Sequence, residues 1–309
     1  MKQLQQRKNK GKQNWIYLIF ALPGVIYLMI NNLIPMVIGI VLALKNVNFR
    51  LGILGSPWAG LENFKYLFST EAAWVITRNT ILYNLAIIVI GTILAVLVAL
   101  LLNEVRGKRL FKYYQSTILF PHLISMLIVS YLVYAFLSAQ NGFVNRSILA
   151  AAGIDPVSWY NEPKYWPFIL TFLGCWKTFG YTSLIFYAAV VDIDQDVYDA
   201  SAIDGVTGIQ RAWYITLPMI RSTIAVMVLL ALGRIFSADF GLFYQVPMDS
   251  GALYSTTNVI DTFVYRALLK TGDISMAAAA CLYQSVVGFF VFTAANFIIK
   301  KFSPDDALF

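Results

Sequence analysis

Six apolar stretches recur along the chain, each long enough to cross a bilayer: about Trp15–Leu44, Ile81–Asn103, Gln115–Leu137, Trp166–Val191, Thr223–Phe240 and Met276–Lys300. A hydrocarbon core of about 30 Å takes roughly 20 helical residues, and in lipid every backbone N–H and C=O must pair inside the protein. The runs are continuous rather than alternating, which suits helices and not barrel strands. The expected fold is therefore an all-α polytopic membrane protein with six transmembrane helices. Composition agrees. Of 309 residues, 59% are hydrophobic and 13% charged, against roughly a quarter charged in soluble domains. The first run is overlong and contains Pro23 and Pro35, so it must tilt, kink at Pro35 or start as an interfacial helix. It is long for a cleaved signal peptide and reads as an uncleaved anchor.

Orientation follows from Lys and Arg. With the N-terminus inside, segments 1–14, 104–114, 192–222 and the tail carry 13 of the 23 basic residues, and the longer outside loops carry 8. Two more, Lys177 and Arg234, lie within spans. The positive-inside rule then places both termini in the cytoplasm. This gives a basic N-terminus (1–14), a membrane domain (15–300) with a cytoplasmic loop at 192–218, and a tail (301–309). The net charge of +7 is explained by topology and anionic headgroups rather than nucleic acid. The outside loops 45–80, 138–165 and 241–275 are long enough to cover a pore mouth or dock another protein. Asn145-Arg146-Ser147 fits a glycosylation pattern that is common by chance and carries no weight.

Cys175 and Cys281 have no metal or disulfide spacing and read as small buried hydrophobes. His122 is the one His and follows Pro121, where a hydrogen bond to a freed carbonyl is the plain reading. No metal site, no Ser/His/Asp set and no phosphate-binding loop is present in the sequence, so ATP hydrolysis on this chain is excluded.

The loop at 192–218 interrupts this apolar text. Asp192, Asp194, Asp196 and Asp199 sit where carboxylates cap free N–H groups at a helix start. Val197, Ala200, Ser201 and Asp204 share a narrow face of small residues that admits a partner backbone. Gly205 is placed to end the helix in a left-handed conformation. A second short helix follows, with Ile209, Ala212, Trp213 and Thr216 on one face, and Pro218 suits the first turn of the next span. Physics alone leaves two readings: a loop that packs on its own bundle, or a helix-turn-helix docking surface.

Asp199-Ala200-Ser201, then Asp204-Gly205, and nine residues later Ile215-Thr216-Leu217-Pro218, resemble the EAA loop of ABC importer permeases, with Asp for Glu and Ser for the second Ala. Phe120-Pro121-His122-Leu123-Ile124-Ser125, Trp176-Lys177 with Gly180-Tyr181, Val259 to Arg266, and the closing Asp306-Ala307-Leu308-Phe309 are similar to the sugar-importer branch, within it the polysaccharide and oligosaccharide permeases of Gram-positive bacteria. The resemblance implies a type I ABC importer permease fold in the bacterial cell membrane. It also implies a second homologous permease, two ATPase subunits that carry the ATP and Mg, an extracellular solute-binding lipoprotein and an oligosaccharide substrate. Asp199, Ala200, Ser201, Asp204, Gly205, Ile215, Leu217 and Pro218 would then form the coupling helix that sits in a cleft of the ATPase.

Polar groups within spans are costly and often functional. A sugar site needs aromatic faces and fork-like polar groups. Trp176, Lys177, Tyr181 and Tyr187 on the fourth span, with Arg234, Asp239, Tyr283 and Gln284 on the fifth and sixth, are the candidates. Asp239 is close enough in sequence to pair with Arg234. The same aromatics also suit ordinary bundle packing. Two other functions compete. A membrane enzyme acting on lipid-linked sugars needs acidic or metal-binding residues at the outer face, and the acids there are scattered. An ion-coupled transporter usually shows inverted repeats and broken helices in both halves, neither of which the sequence displays.

Overall fold

A computed structural model describes Trp15, Tyr17 and residues 19–302. The basic N-terminal segment and the closing Asp-Ala-Leu-Phe lie outside the described residues.

The first helix, α1 (Ile19–Ala43), is apolar apart from Asn31 and Asn32. It solves its Pro35 problem with a π turn over Met29–Leu33, in which the Ile34 N–H reaches the Met29 carbonyl one residue further back than in an α-helix. Pro35 then falls in the first turn of the next helical stretch, where its missing donor is not needed. None of the apolar side chains in the first half of α1 is buried by the rest of this chain.

After α2 (Glu62–Ser69) comes α3 (Glu71–Asn103), of 33 residues. It starts ten residues before the expected span, because Glu71 and the polar residues after it continue the same helix outside the apolar run. The next apolar run is broken. α4 (Lys108–Leu123) and α5 (Met126–Leu137) meet at 90°. The bend is not at Pro121, which lies inside α4, but at Ile124 and Ser125, both extended. α6 (Trp166–Val191) matches the expected fourth span residue for residue.

α6 is the spine of the molecule and packs along α3. Glycines set the spacing: a Cβ on Gly174 would lie 2.6 Å from Ile87 of α3, and one on Gly180 would lie 2.0 Å from the Ile118 carbonyl of α4. Trp166, Leu170 and Leu173 of α6 join Tyr83, Val129, Leu242, Phe243, Leu253 and Val259 in the central core. At the other end Phe186 closes on Ala95, Val96 and Ala99, with Leu217, Ile224 and Met227 against them.

The segment after α6 forms α7 (Gln195–Ile203) and α8 (Gly208–Met219), followed by α9 (Arg221–Leu232) at 61° to α8. The expected fifth span, Thr223–Phe240, is thus helical only to Leu232; residues 233–239 leave the helix. α10 (Ile260–Leu269) and α11 (Ile274–Phe302) complete the chain. Among the described residues there is no β-strand, and a single isolated bridge joins Lys45 and Trp58. α1, α3 and α11 are long and apolar enough to cross a membrane, and counting each bent pair as one span raises the number to five. α6, with Lys177, Thr178, Thr182 and Ser183 along it, is not among those three.

The loops around 139–159 and 248–258 are each pinned by a single polar side chain. Buried Asn145 donates to the Ala139 and Val157 carbonyls at 3.0 and 2.9 Å and accepts from the Trp159 indole at 2.9 Å, so the glycosylation-like residue is a loop staple. Arg266 bonds Asp249 at 2.7 Å and Asn258 at 2.6 Å, and lies over the Tyr254 ring. This holds Met248 and Asp249 in left-handed conformations, φ 52° and 49°, that L residues adopt at a cost.

Candidate functional site

The loop after α6 is capped and turned as its sequence implies, but both of its expected faces divide. The Asp194 side chain accepts from the Asp196 N–H and starts α7, and Gly205 at φ +73° ends it. Thr207 and Gln210 form a reciprocal capping box at the start of α8. The small face is divided, however. Ser201 points inward and donates to the Tyr198 carbonyl at 2.7 Å, whereas Ala200 and Asp204 stay exposed. Tyr198, which pattern reading passed over, is the true anchor. It is buried, its hydroxyl bonds Thr216 at 3.1 Å, and Arg211 covers its ring. Arg211 also bridges to Glu104 at 2.5 Å, which ties the loop to the end of α3.

The second expected face also divides. Ala212–Thr216 is a π turn, so Thr216 is buried while Ile209 and Trp213 face out. Ile203 (88% exposed), Ile209 (85%), Trp213 (65%) and Tyr214 (74%) form an outward apolar surface on a capped, anchored element. Leu217 packs into the inner core and Ile215 is half-buried. Pro218 lies in the first turn of a short terminal piece of α8 rather than of the span itself, and the 61° bend follows at Ile220.

Inside the bundle, the two charged candidates are used differently. Close packing at Gly180 lays α4 across α6 and brings its open C-terminal end over Lys177. The ammonium group donates to the carbonyls of Pro121 (3.2 Å), His122 (3.3 Å) and Ile124. The carbonyls freed by the break are therefore taken by Lys177 and not by His122, whose ring stacks on Tyr181 at 5.0 Å. Trp176 packs on the central core and lines an apolar groove with Phe136, Phe168 and Phe172. The Tyr187 ring lies tilted against Phe111, with centroids 4.9 Å apart. Tyr283 bonds Thr77 at 3.1 Å and packs edge-on against Phe68 and Phe236, so it supports the bundle.

Arg234 and Gln284 do share a space. A cavity of about 680 Å³ is lined by Arg234, Phe236 and Ser237 of the unwound segment, Asp261 of α10, and Cys281, Gln284, Ser285, Phe289 and Phe292 of α11, among others. Cys281 is exposed there rather than buried. The unwound segment has its own backbone partners: Asn84 donates to the Ile235 carbonyl at 2.7 Å, Gln284 to the Phe236 carbonyl at 2.7 Å, and the Ala238 N–H donates to Asp261 at 2.7 Å. Burial pushes the Asp261 carboxyl above its usual range, against those donors. Arg234 and Asp239 form no ion pair among the described residues; Asp239 accepts from the Leu242 N–H at 2.9 Å. The unwound segment and the α4–α5 break are neighbours, since a Cβ on Gly241 would lie 2.8 Å from Met126. Among the described residues no group of three or more His, Cys, Asp or Glu is placed to hold a metal.

Broken spans, one of them opening onto a cavity, are a transporter feature, and they overturn the expectation of unbroken helices. The comparisons say which transporter. Residues 87–303 match the binding-protein-dependent transport system inner membrane components. The chain belongs to that family. The family comprises ABC transporter permeases, membrane subunits whose ATPase is a separate chain, so this permease is a transport subunit and not an enzyme.

The permease is 31% identical to protein LplB of Bacillus subtilis over 95% of this chain and 91% of that one. It is 33% identical to the polygalacturonan/rhamnogalacturonan transport system permease protein YteP of the same organism, over 95% and 90%. Its fold matches, with a TM-score of 0.86 and 30% identity, a chain of a bacterial ABC transporter involved in the import of the acidic polysaccharide alginate, covering 96% of this chain and 99% of that one. A second structure of such a transporter, in complex with an alginate pentasaccharide-bound periplasmic protein, matches with a TM-score of 0.84. In the permease, the signal for Tyr198 was its position between Val197 and Ser201. The signals for Asn84 and Asp261 were polar residues set in otherwise apolar surroundings, readable only once their partners are known.

Proposed function

We propose that this chain is one permease of an ATP-driven importer that carries oligosaccharides handed over by an extracellular solute-binding protein. It would pair with a second permease and two ATPase subunits, which hold the ATP and Mg, while this chain binds no cofactor. The observation that carries the coupling part is the outward apolar surface of Ile203, Ile209, Trp213 and Tyr214. A loop that packed only on its own bundle would bury such side chains, because exposed contiguous apolar patches mark interaction sites. Six spans with both termini cytoplasmic are favoured by the Lys/Arg asymmetry, with α6 and the α9 segment counted as spans. Bacillus relatives matched over about nine-tenths of their length support a Gram-positive cell membrane and a glycan substrate. The sugar path runs past the Arg234–Gln284 cavity, beside the two breaks. Affinity purification of the tagged permease tests the assembly: an ATPase and a second permease should co-elute. Elution of the permease alone, in a detergent that keeps related complexes intact, would sink the proposal.

A further inference from the structure

We propose that Arg234 recognises a negatively charged sugar, a uronate carboxylate, on the glycan that passes this permease; this rests on the import reading above and adds the substrate class. Arg234 opens into the cavity from the first turn of the unwound segment. Among the described residues no hydrogen bond or ion pair engages its guanidinium. Lys177, the other cation within the spans, has three carbonyls. Arg234 is exposed to the cavity, and at membrane depth a cation with no direct counter-charge is stabilised by an anionic ligand. The cavity's one carboxylate, Asp261, is already engaged by the Ala238 N–H and Gln284. The rest of the lining suits a sugar: Ser237, Gln284 and Ser285 offer hydroxyl and amide groups, and Phe236, Phe289 and Phe292 offer aromatic surface. At about 680 Å³ the space lies within the usual range of ligand sites, about 300–1,000 Å³. The backbone just after Arg234 is fixed by Asn84, Gln284 and Asp261, and the guanidinium it carries is a planar fork suited to bidentate contact with a planar carboxylate.

The test uses the purified complex in phosphatidylcholine nanodiscs, without the solute-binding protein. The probes are a galacturonate trisaccharide and its fully methyl-esterified counterpart, identical except for charge. Tighter binding of the free acid is expected in the wild type. Arg234→Gln should weaken the free acid at least about tenfold, the usual size of a lost charge-assisted hydrogen bond, and the ester far less, with Arg234→Lys intermediate. Failure of the wild type to bind the acid, or equal losses for acid and ester, overturns the proposal. So does loss of the second permease from the Arg234→Gln complex, which would make Arg234 an inter-subunit ion-pair partner. Wild-type affinity for the acid that falls when phosphatidylglycerol is added, with no such fall in Arg234→Gln, would assign the guanidinium to a lipid phosphate instead. Uptake into proteoliposomes separates the two claims: import of neutral glycans only leaves the importer standing and removes the uronate site.

Discussion

The Lys177 ammonium sits under the end of α4 with three carbonyls as acceptors, and the chain there is extended rather than helical. Charged in-span residues invite a substrate role, and here the partners show a structural one: a group with all its donors engaged by backbone is a cap. Leaving a buried acceptor unpaired costs about 1–3 kcal/mol, and Lys177→Met unpairs more than one. We expect Lys177→Met to lower the unfolding temperature of the purified complex and to speed hydrogen exchange around residues 122–128, while Arg234→Met changes neither. If exchange there is unaltered, the cap is dispensable and the break is held by packing alone. Tyr198 offers a milder case. Tyr198→Phe removes only the bond to Thr216, so stability should fall by about 1 kcal/mol with the coupling surface intact, as read by ATPase retention.

Among the elements, the α7–α8 unit is the one built to move as a solid piece. It is capped at Asp194 and Thr207, turned at Gly205, and tied to α3 through Arg211 and Glu104. A Cβ on Gly205 would meet nothing within 4 Å, so the penalty of Gly205→Val is conformational, about 1–2 kcal/mol, and membrane insertion should survive. Uptake should be lost with it. Trp213→Asp should do the same by placing a charge on the outward apolar surface, and reduced ATPase co-purification would be its signature. Normal uptake in both variants would reduce the unit to a connecting loop. The unwound stretch after α9 is the complementary element. Asp261→Ala would orphan the Ala238 N–H; amide exchange at residues 236–240 should then accelerate, with no change at α7. Motion passed from α8 into this stretch crosses the bend at Ile220, which makes that residue the hinge to examine by cross-linking.

For the molecule as a whole, the open question is how the spans alternate. Reporter fusions after Arg211 and after Lys301 should both report the cytoplasm, and one after Arg266 the outside. An external signal at Arg211 would move the coupling surface to the wrong side of the membrane and end the proposed function. The bent pairs matter for this count. α4 with α5, and α8 with α9, each behave as one crossing only if the short second pieces stay within the bilayer.

The fold class was legible from the apolar runs because lipid removes every alternative: a backbone without water must form helices, and the lengths follow from bilayer thickness. Gly205 and the Asp194 cap of α7 were legible for a related reason, since local backbone geometry selects residue type directly; the Thr207–Gln210 capping box was not singled out from sequence. What sequence could not decide was the fate of each polar group inside the bundle. Lys177, Arg234, Asp239, Tyr283 and Gln284 read alike as costly residues in apolar runs. Tertiary packing alone made the first a cap, the fourth a bundle support and the last a backbone staple, and left Arg234 without a partner. The breaks at Ile124 and after Leu232 were hidden for the same reason. A helix can stop in lipid wherever distant side chains receive its free carbonyls and N–H groups, and Lys177, Asn84, Gln284 and Asp261 come from other helices, between 23 and 151 residues away along the chain for the second break.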